Sequence, residues 1–182
     1  GDNDPSPNAF GEDRGHETQV AGVAAAATDN LEGVASVCWG GGIMPLKSGD
    51  TTATVAAGID YAAGNGARVL NMSFGSYVTT EYGPDTAVEA AVNDAYNLHQ
   101  VVLVGTAGNN GANWVRYPGD FENVISVAAT DSTDGRAFFS NFGRLVDVAA
   151  PGQGILSTMV GGVYAGNSGT SFSAPDVAGV AG

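Results

Sequence analysis

Three short segments carry side chains that together could perform an acyl transfer: His16, Asn109 and Ser171, each flanked by glycine. A serine hydroxyl becomes a nucleophile when a base removes its proton, and histidine is the side chain best suited to this near neutral pH. An asparagine amide can then donate a hydrogen bond to the oxyanion that forms. Each residue also has an ordinary structural interpretation, since His or Ser can cap a helix and Asn-Asn-Gly can form a turn.

The sequence around these segments predicts alternating helices and strands. Helices are predicted over 17–27, 51–63 and 85–98 and from 171 onward, and strands over 34–39, 69–74, 101–104, 124–129 and 145–149, after a loop at 1–15. Alternation at this spacing is typical of parallel βαβ units, whose functional sites gather at the carboxyl ends of the strands. We therefore expect an α/β fold with a mostly parallel sheet.

Composition narrows the functional classes. The chain has 182 residues, which favours one domain, and 43% of them are hydrophobic, which argues against disorder. Its formal net charge of −13 disfavours binding to nucleic acid or to an anionic membrane. Cys38, the only cysteine, allows no intramolecular disulfide, and its apolar neighbours predict a buried, inert thiol. No apolar run is long enough to span a membrane.

The motifs and their order resemble those of the subtilisin-like serine proteases. Residues 16–22 (HETQVAG) resemble the family's His block, and residues 169–179 (GTSFSAPDVAG) resemble its Ser block. Residues 71–76 (NMSFGS) are similar to the substrate strand, and residues 106–109 (TAGN) to the oxyanion segment. Further similar blocks lie at 117–118, 124–127, 139–143 and 147–152, and the stretch from 109 to 117 is most similar to the thermitase-like branch.

The resemblance implies a three-layer αβα catalytic domain in which Ser171 attacks the substrate carbonyl. His16 would act as general base and then acid, and Asn109 would donate to the oxyanion. Arg116 falls near the bottom of the primary specificity pocket, where it either favours acidic side chains or turns to solvent. The implied substrate-binding residues are Ser73, Phe74, Gly75, Thr106, Ala107, Gly108 and Arg116.

The resemblance also implies a secreted, extracellular monomer that acts on protein or peptide substrates and binds its own propeptide. It implies structural calcium and no organic cofactor. Thr28, Asn30, Glu32 and Val34 fall in the family's calcium loop, with Asn30 supplying a side-chain oxygen and the other three backbone carbonyls. A weaker cation site corresponds to Gly119, Phe121, Val124 and Asp147. The alternative interpretation of both sets is a solvated acidic loop.

The acid of the triad departs from the family pattern. It should precede the histidine, at the end of an apolar strand and before Ser/Thr-Gly. Residues 1–15 contain Asp2, Asp4 and Asp13 but no such strand or motif. We therefore expect the catalytic Asp to lie upstream of residue 1, the chain to be a single partial catalytic domain over 1–182 truncated at both ends, and its activity to be weak or absent. Glu17, Gln19 and Asp176 also depart from the family motifs.

Two other functions are alternatives to a serine protease, and the second of them is disfavoured. A non-catalytic homologue would keep the fold and bind peptides by strand addition along 73–75. A nucleotide-binding βαβ protein is disfavoured, because residues 152–157 (GQGILS) lack the last glycine of the phosphate fingerprint and no helix is predicted after them.

Overall fold

The computed structural model describes residues 15–47, 51–75 and 86–182, and within these ranges the chain forms four helices and six strands. The helices are α1 (His16–Ala25), α2 (Thr52–Gly64), α3 (Thr86–His99) and α4 (Thr170–Ala181). The strands are β1 (Val69–Met72), β2 (Val102–Thr106), β3 (Ile125–Thr130), β4 (Val148–Pro151), β5 (Ile155–Met159) and β6 (Val163–Asn167). None of the described helices is long and apolar enough to cross a membrane.

A parallel sheet of order β1-β2-β3-β4 forms the centre of the fold. Met72 pairs with Gly105, so the carboxyl ends of β1 and β2 lie side by side. Successive residues of a strand face opposite sides of a sheet, and β2 shows this clearly. Leu103 packs with Val92 of α3 on one face, and Val104 packs with Ala174 of α4 on the other. The expected three-layer αβα arrangement with a mostly parallel sheet is confirmed.

Helix starts are set by local chemistry. Thr51 caps α2 through a capping box with Thr54, whose backbone N–H donates to the Thr51 hydroxyl at 3.3 Å. The residue before α1 is Gly15, with φ of 101°, a left-handed conformation that favours glycine. This turn places His16 as the first residue of α1. The helix then packs against α4 and the β5–β6 hairpin.

The predicted strand at 34–39 is wrong. This segment pairs with no described strand and instead closes over the end of α1, where Val37 N–H donates to Val23 O and Cys38 N–H to Ala24 O. Val37 is exposed on one side, so the apolar run does not have the two covered faces of an interior strand. Cys38, expected to be buried, is only half-buried.

The antiparallel hairpin of β5 and β6 is absent from the sequence-based prediction. The sequence does contain a feature that indicates a hairpin, because Gly161 and Gly162 lie between two apolar-rich segments. Met159 pairs with Val163, so both glycines lie in the connecting loop, and both have positive φ, 90° and 74°, which glycine adopts readily. The other predicted strands are confirmed with shifted ends. The predicted strand at 145–149 begins only at Val148, and the helix predicted from 85 is described from Thr86 onward.

Candidate active site

The site forms where the ends of β1 and β2 meet the amino end of α4. Residues that follow β1 contact the start of α4 through Ser73, whose hydroxyl donates to Ser171 O at 2.8 Å. Residues that follow β2 contact it through Gly108, whose N–H donates to the buried Thr170 hydroxyl at 3.2 Å. The site therefore lies at the carboxyl edge of the sheet, as parallel α/β folds predict.

Ser171 is the second residue of α4 and is half-buried. Its hydroxyl donates to Ser73 O at 3.3 Å. Its own carbonyl lacks a helical donor, because Pro175 four residues later has no N–H. The Ser73 hydroxyl supplies that missing bond and in turn accepts from Asn71 Nδ2 at 2.9 Å. Ser73 thus fixes the backbone of the serine that we expect to react.

The Asn109 side chain is oriented by Thr170. Its Oδ1 accepts hydrogen bonds from the Thr170 backbone N–H and hydroxyl, both at 2.9 Å. These two bonds engage only the oxygen, and the Nδ2 group lies beside Gly169, 3.4 Å from where a Cβ on that residue would stand. An amide held in this way is a preorganised donor beside the residue that precedes Ser171.

His16 reaches the same place from α1. Its ring makes an edge contact with Phe172, with centroids 5.9 Å apart and planes at 71°. Phe172 is buried and directly follows Ser171, so the imidazole lies next to the amino end of α4. Within residues 15–47, 51–75 and 86–182, no side chain forms a hydrogen bond with the imidazole. Asp2, Asp4 and Asp13 lie outside the described residues.

The His16 imidazole, the Ser171 hydroxyl and the Asn109 amide thus converge on one helix terminus, each from a different element. The whole chain, residues 1–182, matches the Subtilase family of peptidases. It belongs to that family.

Named relatives agree with this assignment. The chain is 44% identical to thermitase of Thermoactinomyces vulgaris over 186 residues, which is 100% of this chain and 63% of that protein. It is 44% identical over 185 residues to a thermophilic serine proteinase of Bacillus sp. (strain AK1), covering 99% of this chain and 44% of that protein. The chain therefore spans about half the length of these curated relatives. The expected resemblance to the thermitase-like branch is confirmed.

Solved subtilase structures share the fold. A protease of Pseudoalteromonas arctica PAMC 21717 superposes with a TM-score of 0.83 at 34% identity, covering 91% of this chain and 57% of the other. The prenylagaramide maturation protease PagA superposes with a TM-score of 0.78 at 28% identity, covering 91% and 62%. The subtilisin-like architecture is therefore established for the described part of the chain.

The residues predicted to bind substrate fall into two groups. Ser73, Phe74 and Gly75 continue past the end of β1, which is an edge strand of the described sheet, and Phe74 is exposed. Thr106 and Ala107 are buried, so their side chains are turned away from solvent. We expect the first group to contact a peptide and the second to shape the wall behind it.

Arg116 lies between the two strand ends. Its Nη1 donates to Gly75 O at 3.4 Å and its Nη2 to Asn110 Oδ1 at 3.2 Å. A Cβ on Gly108 would stand 3.1 Å from the Arg116 stem, and one on Gly75 would stand 3.2 Å from it. Because these two glycines have no side chains, the Arg116 stem fits between them, and its guanidinium lies beside the oxyanion segment.

Gln19 has a structural role that the sequence did not predict. It is 2% exposed, and its Nε2 donates to Ala165 O at 3.1 Å while its Oε1 accepts from Asn167 Nδ2 at 3.3 Å. The Ser157 hydroxyl donates to Gln19 O at 2.7 Å. These bonds attach the helix that carries His16 to the β5–β6 hairpin. The sequence feature that could have indicated this role is a single glutamine in a helix that otherwise consists largely of Ala and Val.

Several carboxyl and phenol groups near the site have shifted pKa values. Burial raises the pKa of Asp176, on the site helix, to about 6. Burial also raises the pKa of Tyr117, and the neighbouring Asp120 carboxylate adds to that shift. Burial raises the pKa of Asp120, opposed by its hydrogen bond with Tyr117. None of these groups contacts Ser171, and we assign them no step in the reaction.

The predicted calcium loop winds around a cavity of about 260 Å³ lined by residues 29–35. Asp29, Leu31 and Gly33 all have positive φ, and Asn30 Oδ1 accepts the Glu32 backbone N–H at 3.0 Å. The expected ligands supply four oxygens, of the type that calcium prefers, against its usual six to eight. The donor type suits the ion, although Asn30 Oδ1 already accepts an N–H and Thr28 lies outside the cavity lining. The remaining ligands would come from water or from outside this loop, and calcium binding here stays a prediction.

The weaker cation set is spread over a loop and a strand end. Phe121 O accepts the Val124 N–H at 3.0 Å, and Asp147 Oδ2 accepts the Ser126 N–H at 2.8 Å. Both oxygens already take part in the fold. Within the described residues, no three His, Cys, Asp or Glu side chains cluster as metal ligands. Cation binding at this set stays a prediction.

Proposed function

We propose that the chain acts as a serine endopeptidase that hydrolyses peptide bonds through an acyl-enzyme. The observation that carries the proposal is the convergence of His16, Ser171 and the Thr170-oriented Asn109 amide at the start of α4. A peptide would add along residues 73–75 as a further strand, which presents its carbonyl to the Ser171 hydroxyl. Subtilase membership and proteinase relatives support this reaction class.

The chemical steps follow from the roles of these groups. Ser171 Oγ–H, which points at Ser73 O in this structure, turns toward His16 and gives up its proton as Oγ attacks the substrate carbonyl. Asn109 Nδ2 donates to the oxyanion of the tetrahedral intermediate. His16 then protonates the leaving amine, and a water molecule that it deprotonates releases the acyl group.

We also propose that turnover by this chain is low, because His16 would act without a carboxylate partner. Two observations support this. The family order requires an Asp before the His, and residues 1–15 lack the apolar strand and Ser/Thr-Gly motif that would mark it. Loss of the carboxylate in such triads lowers turnover by roughly 10⁴. Structural calcium at 28–34, a secreted monomeric state and recognition of a propeptide belong to the same proposal.

Covalent labelling tests the proposed function. A fluorophosphonate probe is expected to label the chain on Ser171, because phosphonylation requires an activated serine and an oxyanion donor. The Ser171→Ala variant is the control and is expected to remain unlabelled in an intact-mass measurement. Ser173→Ala, two residues along the same helix, should label like the parent. Absence of Ser171-dependent labelling would favour the non-catalytic, peptide-binding alternative.

Arg116 is expected to favour an acidic side chain just before the scissile bond. Its guanidinium donates to Gly75 O and its stem lies beside Gly108, and a charge-assisted hydrogen bond to a carboxylate is worth about 1.5–3 kcal/mol. Arg116→Gln should therefore lower the ratio of kcat/KM for Glu over Gln at that position by about tenfold, the low end of that range. Matched peptide substrates measure the ratio. Arg68→Gln, exposed and before β1, makes the same charge change and should leave it unaltered.

A further inference from the structure

Asn141 is a buried polar residue to which the preceding mechanism gives no role. It is fully buried, and every hydrogen bond of its side chain goes to the segment that contains Asn109. Its Nδ2 donates to Ala107 O at 3.0 Å. Its Oδ1 accepts from the backbone N–H groups of Asn110 at 2.9 Å and Ala112 at 3.1 Å.

These bonds hold the chain on both sides of Asn109. Ala107 precedes it by two residues, and Asn110 follows it directly. The backbone N–H of Asn141 also donates to Gly108 O at 2.9 Å. A single side-chain amide thus fixes the peptide units before and after the proposed oxyanion donor, across more than 30 residues of sequence.

Close packing makes the contact specific. Gly108 has φ of 105°, and a Cβ there would stand 2.6 Å from Asn141 Nδ2. The amide therefore lies against the bare backbone of Gly108. On the other side of the segment, Asn109 Oδ1 is held by Thr170. The Asn109 amide is thus fixed by Thr170 at its side chain and by Asn141 at its backbone.

We propose that Asn141 is a positioning residue for the oxyanion donor, and that it acts on the reaction through Asn109. The inference rests on the proposed function, in which Asn109 Nδ2 stabilises the tetrahedral intermediate. A donor of this kind contributes only when it is held at the position where the charge develops. Loss of the Asn141 amide should therefore reduce kcat and leave substrate binding along residues 73–75 almost unchanged.

A double-mutant cycle tests the route through Asn109, with kcat and KM measured on an activated peptide ester. Asn141→Ala is expected to lower kcat by about tenfold or more, with less than about threefold change in KM. In the Asn109→Ala background the same substitution should change kcat by less than about twofold, because the donor is already gone. Equal losses in both backgrounds would overturn the proposal.

Ser140→Ala is the matched control. Ser140 is also fully buried, and its hydroxyl accepts from Ala129 N at 2.9 Å and donates to Asn141 O at 3.0 Å, so neither of these bonds goes to residues 107–112. Its removal should lower stability without lowering kcat. A kcat loss for Ser140→Ala equal to that of Asn141→Ala would show that general loosening of this segment suffices, and would also overturn the proposal.

A pH profile covers the case in which Asn141→Ala does not fold. In Asn141→Asp the protonated acid can still accept from Asn110 and donate to Ala107 O, whereas the carboxylate cannot donate. Its kcat relative to the parent should rise as the pH falls from 8 to 5. A flat ratio, or failure of both variants to fold, would assign Asn141 a structural role only. Ser171→Ala is measured in the same assay. If the proposed function is wrong, the unmodified chain and Ser171→Ala will have the same kcat, and that result is distinct from every outcome for Asn141.

Discussion

Replacing Asn109 by Ala is expected to lower kcat by about 10²–10³ and to change KM by only a few-fold. The Nδ2 group has its partner only in the tetrahedral intermediate, so its loss raises the barrier without weakening substrate binding. Losses of this size, about 2.7–4 kcal/mol, accompany removal of the equivalent donor in subtilisin, a member of the same family. Steady-state kinetics on a peptide ester measures the effect.

A second variant separates donation from positioning. Asn109→Asp keeps an oxygen that can accept from the Thr170 N–H and hydroxyl, but it has no N–H to donate. It should lose at least as much kcat as Asn109→Ala, since a carboxylate also repels the oxyanion. Asn113→Ala, on the exposed side of the same loop, should keep parental kcat. A change of less than threefold for Asn109→Ala would remove this residue from the mechanism.

The positions of the candidate site residues could be anticipated from sequence because each belongs to a local pattern. Val102–Thr106 is an apolar, β-branched strand, and the polar residues after it must lie at the sheet's carboxyl edge. Ser171 begins an apolar helix that must pack on the same sheet. The convergence of the two follows from parallel topology alone. The motif order then made the family assignment specific.

The supporting contacts could not be anticipated, because they depend on hydrogen bonds between distant residues. Nothing local at Asn141 indicates that its amide binds residues 107–112, and nothing at Ser73 indicates that it replaces the helical donor lost at Pro175. Buried polar groups find partners wherever the fold places them. The failure at 34–39 has a related cause. The apolar composition of this run predicts a strand, but strand formation also needs a pairing partner, which the described residues do not provide.

His16→Ala is expected to lower kcat by about 10² in this chain, and the size of that loss tests whether His16 acts without a carboxylate partner, as we propose. Groups of a catalytic triad act as a unit, so their losses do not add. In subtilisin, removal of the His costs roughly 10⁶ and removal of the Asp alone roughly 10⁴, so a histidine without its Asp retains only about 10². Kinetics of His16→Ala on the peptide ester measures the difference.

The second histidine of the chain provides the control for this measurement. His99 ends α3, is exposed and belongs to the layer on the other face of the sheet from α4, so His99→Ala should keep parental kcat. A loss near 10⁶ for His16→Ala would show that a carboxylate does assist His16 and would overturn its proposed absence. An unchanged kcat would instead exclude His16 as the base. A loss near 10² fits only a histidine that moves the Ser171 proton without a carboxylate to orient and stabilise it.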